Sequence, residues 1–441
     1  MRENLLRKIA ISDPILPGII GFDETVIPEI ENAILAGHHI VFLGERGQAK
    51  SRIVRRLVGL LDPWTPIIAE CPINDDPLAP LCAQCRRHAA EQGDGLPVSW
   101  IRPDERYTEK LATPDVSMAD LVGEIDPIKV AEGRYLADED TIHFGLVPRT
   151  NRGIFAINEL PDLTEKVQVG LFNVMEERDV QIRGYKIRLP IDVVIVATAN
   201  PEDYTSRGRI VTPLKDRFDV QIRTHYPRTV ADEIAIMEQE VSTDERAGRA
   251  LRVPTFMKQI LGRLTFEARE CAEINQSSGV SVRATLNNYE TLLSNAERRA
   301  LRTSEHEIVP RISDLYALAA SMGGKIELEY GDDGDVEAVI TRLIGRAVKA
   351  VWEEYLGIDD LQPVVAHIES GWGVEVSDRM PSEEYREGVQ QIPGLREGVD
   401  RLGPVESAGL MASAVEFVLE GLHLHEKLNK ETQGGRGRYH A

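Results

Sequence analysis

Lys50 and Ser51, directly after Gly44-Glu45-Arg46-Gly47-Gln48-Ala49, have the types and spacing to hold a triphosphate. In the pattern G-x-x-x-x-G-K-[ST], backbone N–H groups wrap the phosphates and a helix N-terminus faces them with its positive end. The Lys50 ammonium would reach the β- and γ-phosphates, and the Ser51 hydroxyl would hold Mg2+. Gln48 and Arg52 flank the pair, so the candidate ATP contacts run through Gly44, Gly47, Gln48, Ala49, Lys50, Ser51 and Arg52. One position departs from the pattern, because alanine stands where the second glycine is usual. Alanine is small and a strong helix former, so Gly47 is expected to supply the unusual backbone angles instead.

Hydrolysis asks for more than a phosphate cradle. It needs a carboxylate to orient or deprotonate water, a polar group beside the metal, and positive charge for the transition state. Glu159, at the end of the apolar run Ile154-Phe155-Ala156-Ile157, is the candidate for the water. Its neighbour Asn158 occupies the metal-side position, where it can bond a metal-bound water but adds no negative charge. Asn200 ends a second apolar run, Val193–Ala199, and is a natural further polar group beside the water. Arg217 lies between apolar residues in Leu214-Lys215-Asp216-Arg217-Phe218, and Arg283 stands at a helix start with Ser281 as its N-cap. Taken singly, a glutamate at a strand end is ordinarily solvated, and each arginine is ordinarily a surface ion-pair partner. The ordered set of Lys50, Glu159, Asn200, Arg217 and Arg283 is what points to nucleotide chemistry.

The elements that must position these residues are also legible. Continuous apolar runs such as Ile40–Leu43 and Val193–Ala199 predict buried parallel strands. Strands alternate with helices up to about Pro227, which implies an α/β domain with a parallel, doubly wound sheet. Beyond it the apolar spacing predicts helices at roughly 229–241, 253–275, 283–300, 307–322 and 335–356. The expected organisation is a nucleotide-binding core over 1–228, a helical lid over 229–356 and a small, mostly helical appendix over 357–441. Residues 62–117 read as a long insertion in the core, and Gly434–Ala441 as a frayed tail.

Within that insertion, Cys82-Ala83-Gln84-Cys85, with Cys71 before it and His88 after it, has the ligand types of tetrahedral zinc. The second C-x-x-C or H-x-x-H of a full pattern is missing, and three free thiols beside a solvated histidine are the other reading. A metal could there substitute for an apolar core. Cys271 reads as a core residue.

The 441 residues carry a net charge of −21, which opposes general nucleic-acid or membrane-surface binding. No apolar run approaches the roughly 20 residues of a membrane span. Four cysteines in a chain of this length fit a reducing compartment, so a cytoplasmic protein is expected.

With these motifs in this order, residues 13–325 resemble the AAA+ ATPases, and within them the magnesium-chelatase ATPase subunit and MoxR-type proteins. The resemblance rests on Gly44–Ser51, Ile154–Glu159, Val180–Leu189 before Val193–Asn200, Thr212–Phe218 and Ser281–Arg283. It implies Walker A at Lys50 and Ser51, Walker B at Asn158 and Glu159, and sensor 1 at Asn200. It further implies that Arg217 is an arginine finger for a neighbouring subunit, that Arg283 is sensor 2, and that Ile20 and Gly21 lie near the adenine. The segment Val122–Gly145 resembles the helix-2 insert, and Val180–Leu189 the hairpin before sensor 1. ATP and Mg2+ as cofactors, a hexameric ring, and a partner with a von Willebrand A-type domain follow from the resemblance alone. An ATP-binding scaffold with little hydrolysis is the rival that Asn158 suggests.

Overall fold

The apolar runs form strands β1 (Ile40–Leu43), β2 (Tyr107–Leu111), β3 (Gly153–Asn158), β4 (Val193–Ala199) and β5 (Val220–Arg223) in the computed structural model. The structure describes all residues except 132–138, 178–188, 202–208, 243–247, 276–278, 330–334, 378 and 434–435. The expected hairpin Val180–Leu189 therefore lies almost wholly outside the described residues. Two compact units appear, Met1–His225 and Tyr226–Ala441.

In the first unit the five strands pair in the order β2-β3-β4-β1-β5, all parallel. The registers Ile40↔Val196 and Ile40↔Val220 set β1 between its two neighbours. Side chains alternate across the sheet. Ile40, Phe42, Ile154, Ala156 and Val196 enter one apolar core, and Val41, Phe155, Ile157, Ile195 and Ala197 enter the other. A sheet covered on both faces needs apolar residues at consecutive positions, which is why these strands read as unbroken runs. Helix α1 (Val26–Ala36) covers one face through Ala33 and through Val26, Ile30 and Ile34, the last three each worth about 1.5–3 kcal/mol on burial. Helix α2 (Lys50–Arg56) adds Ile53 and Val54 to the same core.

The insertion is shorter than its composition suggests. Its body is an antiparallel hairpin, Thr65–Ile68 with Val98–Ile101, and the helix α3 (Ala83–Gln92) between them. Residues 107–111 belong to the main sheet as its edge strand β2. The sequence there, Tyr-Thr-Glu-Lys-Leu, is half polar because one side of an edge strand is open.

In the second unit, α4 (Val230–Glu240), α5 (Thr255–Glu270), α6 (Val282–Arg302) and α7 (Val336–Tyr355) pack with α8 (Ser382–Gln391) and α9 (Ala408–Leu424). One apolar core runs from Met237 through Trp352 and Phe417 to Tyr439. Helix α9 is buried on nearly every side, and its Gly421 abuts the Trp352 ring so closely that a Cβ would sit 1.9 Å from Cδ1. The C-terminal tail is not frayed. Arg436–His440 pairs antiparallel with Val374–Ser377 and Asn429–Gln433, and buried Tyr439 donates to the Glu420 carboxylate.

Candidate functional site

The strand-to-helix turn after β1 gathers the phosphate-binding candidates. Gly47 has φ +78° and Ala49 has φ +57°. Both residues thus enter the left-handed region, and the expectation that Gly47 alone would do so is corrected. Ala49 is the residue immediately before the first turn of α2, where the chain must reverse hand, and with a Cβ present this costs about 1–2 kcal/mol. Gly44 is required for a different reason. A Cβ there would lie 1.9 Å from Thr224 Oγ1 and 2.3 Å from Gln48 Oε1. Gln48 is buried, and its Oε1 accepts from Glu45 N at 3.0 Å and from Thr224 Oγ1 at 2.9 Å, so it braces the loop from inside. Arg52 continues the first turn of α2.

The Lys50 ammonium donates to Gly44 O, to Glu45 O at 2.7 Å and to Asn200 Oδ1 at 2.7 Å. It thereby joins the loop to the end of β4. The Ser51 hydroxyl donates to Asn158 Oδ1 at 3.5 Å, and Thr198 Oγ1 donates to the same oxygen at 3.4 Å. Glu159 N in turn donates to Thr198 Oγ1 at 3.0 Å. Lys50, Ser51, Asn158, Glu159 and Asn200 thus meet at the carboxyl ends of β1, β3 and β4, where open α/β sheets hold their ligands. Glu159 itself is exposed and left-handed, with φ +57°. Strain of that kind, of order 1–3 kcal/mol, is concentrated at working sites.

Sequence reasoning missed part of this network. The Asn158 amide donates to Glu109 on β2, and Arg55 grips Glu109 in a two-pronged pair at 2.8 Å and 2.8 Å. Tyr107 donates to Glu109 Oε2 at 2.9 Å. The Arg55 guanidinium holds the Glu109 carboxyl below the usual carboxylate range, against the opposing effect of burial. The acid bonded to Asn158 is therefore already paired with an arginine. Glu109 escaped notice because β2 was read into the insertion. Thr198 lay inside an apolar run and gave no signal.

A cleft of about 410 Å3 opens beside the loop and is lined by Gly44, Gln48, Pro201, Lys215, Arg223 and Thr224 among others. This volume falls in the range of small-molecule sites. It lies on the β1–β5 side of the loop, whereas the Ser51–Asn158 contacts lie toward β3. Ile20 and Gly21 precede Phe22, whose ring meets His225 edge-on at 4.8 Å, and Thr25 Oγ1 contacts His225 Nε2 at 2.9 Å. The Ile20–Phe22 turn, with Gly21 at φ +81°, is thus tied to the residue after cleft-lining Thr224.

Arg217 pairs with Glu176, donates to Pro213 O at 2.8 Å and lies 4.4 Å above the Phe172 ring centre. Those partners belong to the segments 172–176 and 212–215 rather than to the loop Gly44–Ser51. Arg283 is in the second unit, where its N–H donates to the N-cap Ser281 at 3.1 Å. The segment Val122–Gly145 contains an antiparallel pair, Gly123–Ile125 with Ile142–Phe144, and residues 132–138 between them are outside the described residues.

Among the cysteines, Cys71, Cys82 and Cys85 do converge, but His88 is not their fourth neighbour. The group is completed by Asp75. The N–H groups of Leu81 and Cys82 hold the Asp75 carboxylate at 3.1 Å and 2.9 Å, which fixes it against the thiols and leaves no vertex for His88. Cys271 is buried in the core of the second unit.

Comparison with known proteins adds an independent line. The model of the sigma-54 interaction domain matches residues 130–220. The magnesium-chelatase subunit ChlI of Bigelowiella natans is 27% identical over 240 residues, covering 50% of this chain and 58% of that protein. The chloroplastic ChlI-1 of Arabidopsis thaliana is 28% identical over 239 residues, covering 52% of this chain and 53% of its own length. The chain therefore spans little more than half the length of the curated relatives it matches. A solved complex between subunits BchI and BchD of magnesium chelatase aligns at 20% identity with a TM-score of 0.39, covering 73% of this chain and 98% of that one.

Proposed function

We propose, from the premise that this chain is an AAA+ ATPase of the magnesium-chelatase clade, that it binds Mg-ATP at the loop Gly44–Ser51 and hydrolyses it between subunits of a ring. The observation that carries the reading is the meeting of Lys50, Ser51, Asn158, Glu159 and Asn200 at the ends of three adjacent parallel strands. In this reading Lys50, now bonded to Gly44 O and Glu45 O, would hold the phosphates, and Ser51, now bonded to Asn158, would hold Mg2+. Glu159 orients the attacking water, with Asn200 beside it. Arg217 would leave Glu176 to reach the nucleotide of an adjoining subunit, and Arg283 would act as sensor 2. Ile20 and Gly21 would flank the base.

The ring, taken as hexameric from the resemblance to MoxR-type proteins, would act in the cytoplasm on a partner with a von Willebrand A-type domain. The division into a core over 1–228, a lid over 229–356 and an appendix over 357–441 is part of the same reading. The assignment to the clade, as distinct from these bounds, rests on the sequence similarity to magnesium-chelatase subunits.

The test is complementation in trans. Glu159→Gln and Arg217→Ala chains are each expected to lose turnover, by about 10²-fold or more. Mixing the two should restore part of it, because some interfaces then combine an intact glutamate with an intact arginine. Undiminished turnover in both variants would refute the assignment. Asn158 favours a second reading, an ATP-binding scaffold with little hydrolysis. ATP binding that Lys50→Ala abolishes, without turnover above that variant's background, would select it.

A further inference from the structure

We infer that Cys71, Asp75, Cys82 and Cys85 form a closed structural zinc site at the end of the sheet remote from the phosphate loop. One ligand atom from each residue lies within 4.8 Å of all the others. In a tetrahedral site with zinc–sulfur bonds near 2.3 Å, the ligands stand about 3.5–3.8 Å apart. Closing on an ion therefore asks for side-chain movements of about one ångström or less, with no rebuilding of the backbone.

The backbone is already turned toward the sulfurs. Cys71 Sγ accepts from Ile73 N at 3.5 Å and from Asp75 N at 3.4 Å, and Cys82 Sγ accepts from Cys85 N at 3.3 Å. Backbone N–H groups so placed orient the sulfurs, as outer partners of metal-bound thiolates do. Asp75 supplies the independent indication. Its side chain is fully buried, Oδ2 is satisfied by Leu81 N and Cys82 N, and Oδ1 has no hydrogen-bond partner. A buried carboxylate oxygen left without a partner is costly, and a cation among three sulfurs removes that cost.

The ligand chemistry selects the ion. Hard cations such as Mg2+ and Ca2+ prefer shells of oxygen, whereas three thiolates with one carboxylate suit zinc. The surroundings give the motive. Between Pro72 and Leu96 the buried apolar side chains are Ile73, Cys82 and Cys85, so this part of the insertion has almost no core apart from its own thiols. A metal supplies the missing cross-link.

The placement separates this site from the nucleotide. Asn151 donates to Ile73 O at 3.0 Å, Arg152 donates to Pro66 O at 2.7 Å and pairs with Asp76 at 3.3 Å, and Asn74 donates to Arg149 O at 2.9 Å. These residues lead into the amino end of β3, whereas Asn158 and Glu159 are at its carboxyl end, about 16 Å along the strand. With four protein ligands and no open position, the ion would hold the insertion in place rather than take part in hydrolysis.

The experiment is metal analysis of the full chain, purified with its thiols reduced and incubated with zinc before excess metal is removed. About one zinc per chain is expected in the unaltered protein and in His88→Ala. In the Cys82→Ser/Cys85→Ser variant the content should fall at least tenfold, and Asp75→Asn should lose zinc to a competing chelator at least tenfold more readily. Replacing zinc by Co2+ in the unaltered chain should give thiolate charge-transfer absorption and the intense visible bands of a tetrahedral ion. That measurement stands even where a cysteine variant fails to fold. A reduced chain that holds no zinc, or holds iron instead, overturns the site. Zinc retained equally by the double cysteine variant does so too, and retention unchanged in Asp75→Asn removes the fourth ligand. ATP binding measured on the same samples reports separately on the nucleotide site, so the two readings fail independently.

Discussion

The two ends of one parallel sheet are built on opposite plans. At the carboxyl ends of β1, β3 and β4, polar residues from distant stretches of chain meet through hydrogen bonds, and two of the backbone residues, Ala49 and Glu159, sit in strained left-handed conformations. At the amino end of β3, the thiols and the carboxylate come from one short stretch, 71–85, and are half or fully buried. The first arrangement can move, because Lys50 and Ser51 now bond to protein groups that phosphates and Mg2+ would replace. The second is held by backbone N–H groups that bond Cys71, Asp75 and Cys82. Side chains open to new partners and side chains held by backbone bonds thus lie at opposite ends of β3, whereas left-handed residues occur at both, with Asn74 and Arg152 beside the cysteines.

This contrast can be broken by perturbing one end and reading both. The largest expected effect is on stability at the cysteine end. Removing the metal with a chelator, or Cys82→Ser/Cys85→Ser, should cost several kcal/mol and lower the melting temperature by on the order of 10 °C. ATP affinity should change by less than about twofold, and calorimetry with nucleotide titration checks both. Next in size, Lys50→Ala should weaken ATP binding about 100-fold, or about 2.7 kcal/mol, while leaving the melting temperature nearly unchanged. A large loss of stability in that variant would blur the division of labour.

Smaller effects sharpen it. Ala49→Gly relieves a left-handed alanine and should stabilise the chain by about 1 kcal/mol, seen as a higher denaturant midpoint. The gain should appear with the cysteine site intact or removed. The smallest effect concerns Glu109. Its pKa is lowered in the folded chain, so its contribution to stability is complete above the ordinary carboxylate range and is lost as pH falls through the lower folded value. The Arg55 side chain is 63% exposed, so screening keeps the contribution below about 1 kcal/mol. Glu109→Gln should accordingly flatten the acid limb of a stability-against-pH curve and leave the neutral region little changed.

How far these features can be read without coordinates depends on how local they are. β1, β3 and β4 were legible because burial on both faces demands unbroken apolar runs, and their terminal residues Leu43, Asn158 and Ala199 fall where that pattern stops. β2 was not, since an edge strand tolerates Thr108, Glu109 and Lys110, and Glu109 was lost with it. The letters Gly44–Ser51 picked out the strand-to-helix turn at Lys50 and Ser51 but not that Ala49 itself turns left-handed, a matter of backbone geometry that composition does not carry. The cysteine spacing identified three thiols and proposed His88. Asp75 was missed because its place depends on N–H groups of Leu81 and Cys82 that only the folded loop brings round. The strand Arg436–His440 was hidden for a related reason. Its partner Val374–Ser377 is far away in sequence, and a polar tail with glycines gives no local sign of pairing.

The central claim is that Glu159 works on water bound beside a nucleotide that Lys50 and Ser51 hold. Steady-state ATP turnover of Glu159→Gln, with ATP affinity measured on the same preparation, tests it most directly. The account predicts affinity within about threefold of the unaltered chain and turnover reduced by about 10²-fold or more. Turnover preserved in that variant, or lost only in step with binding, would contradict it.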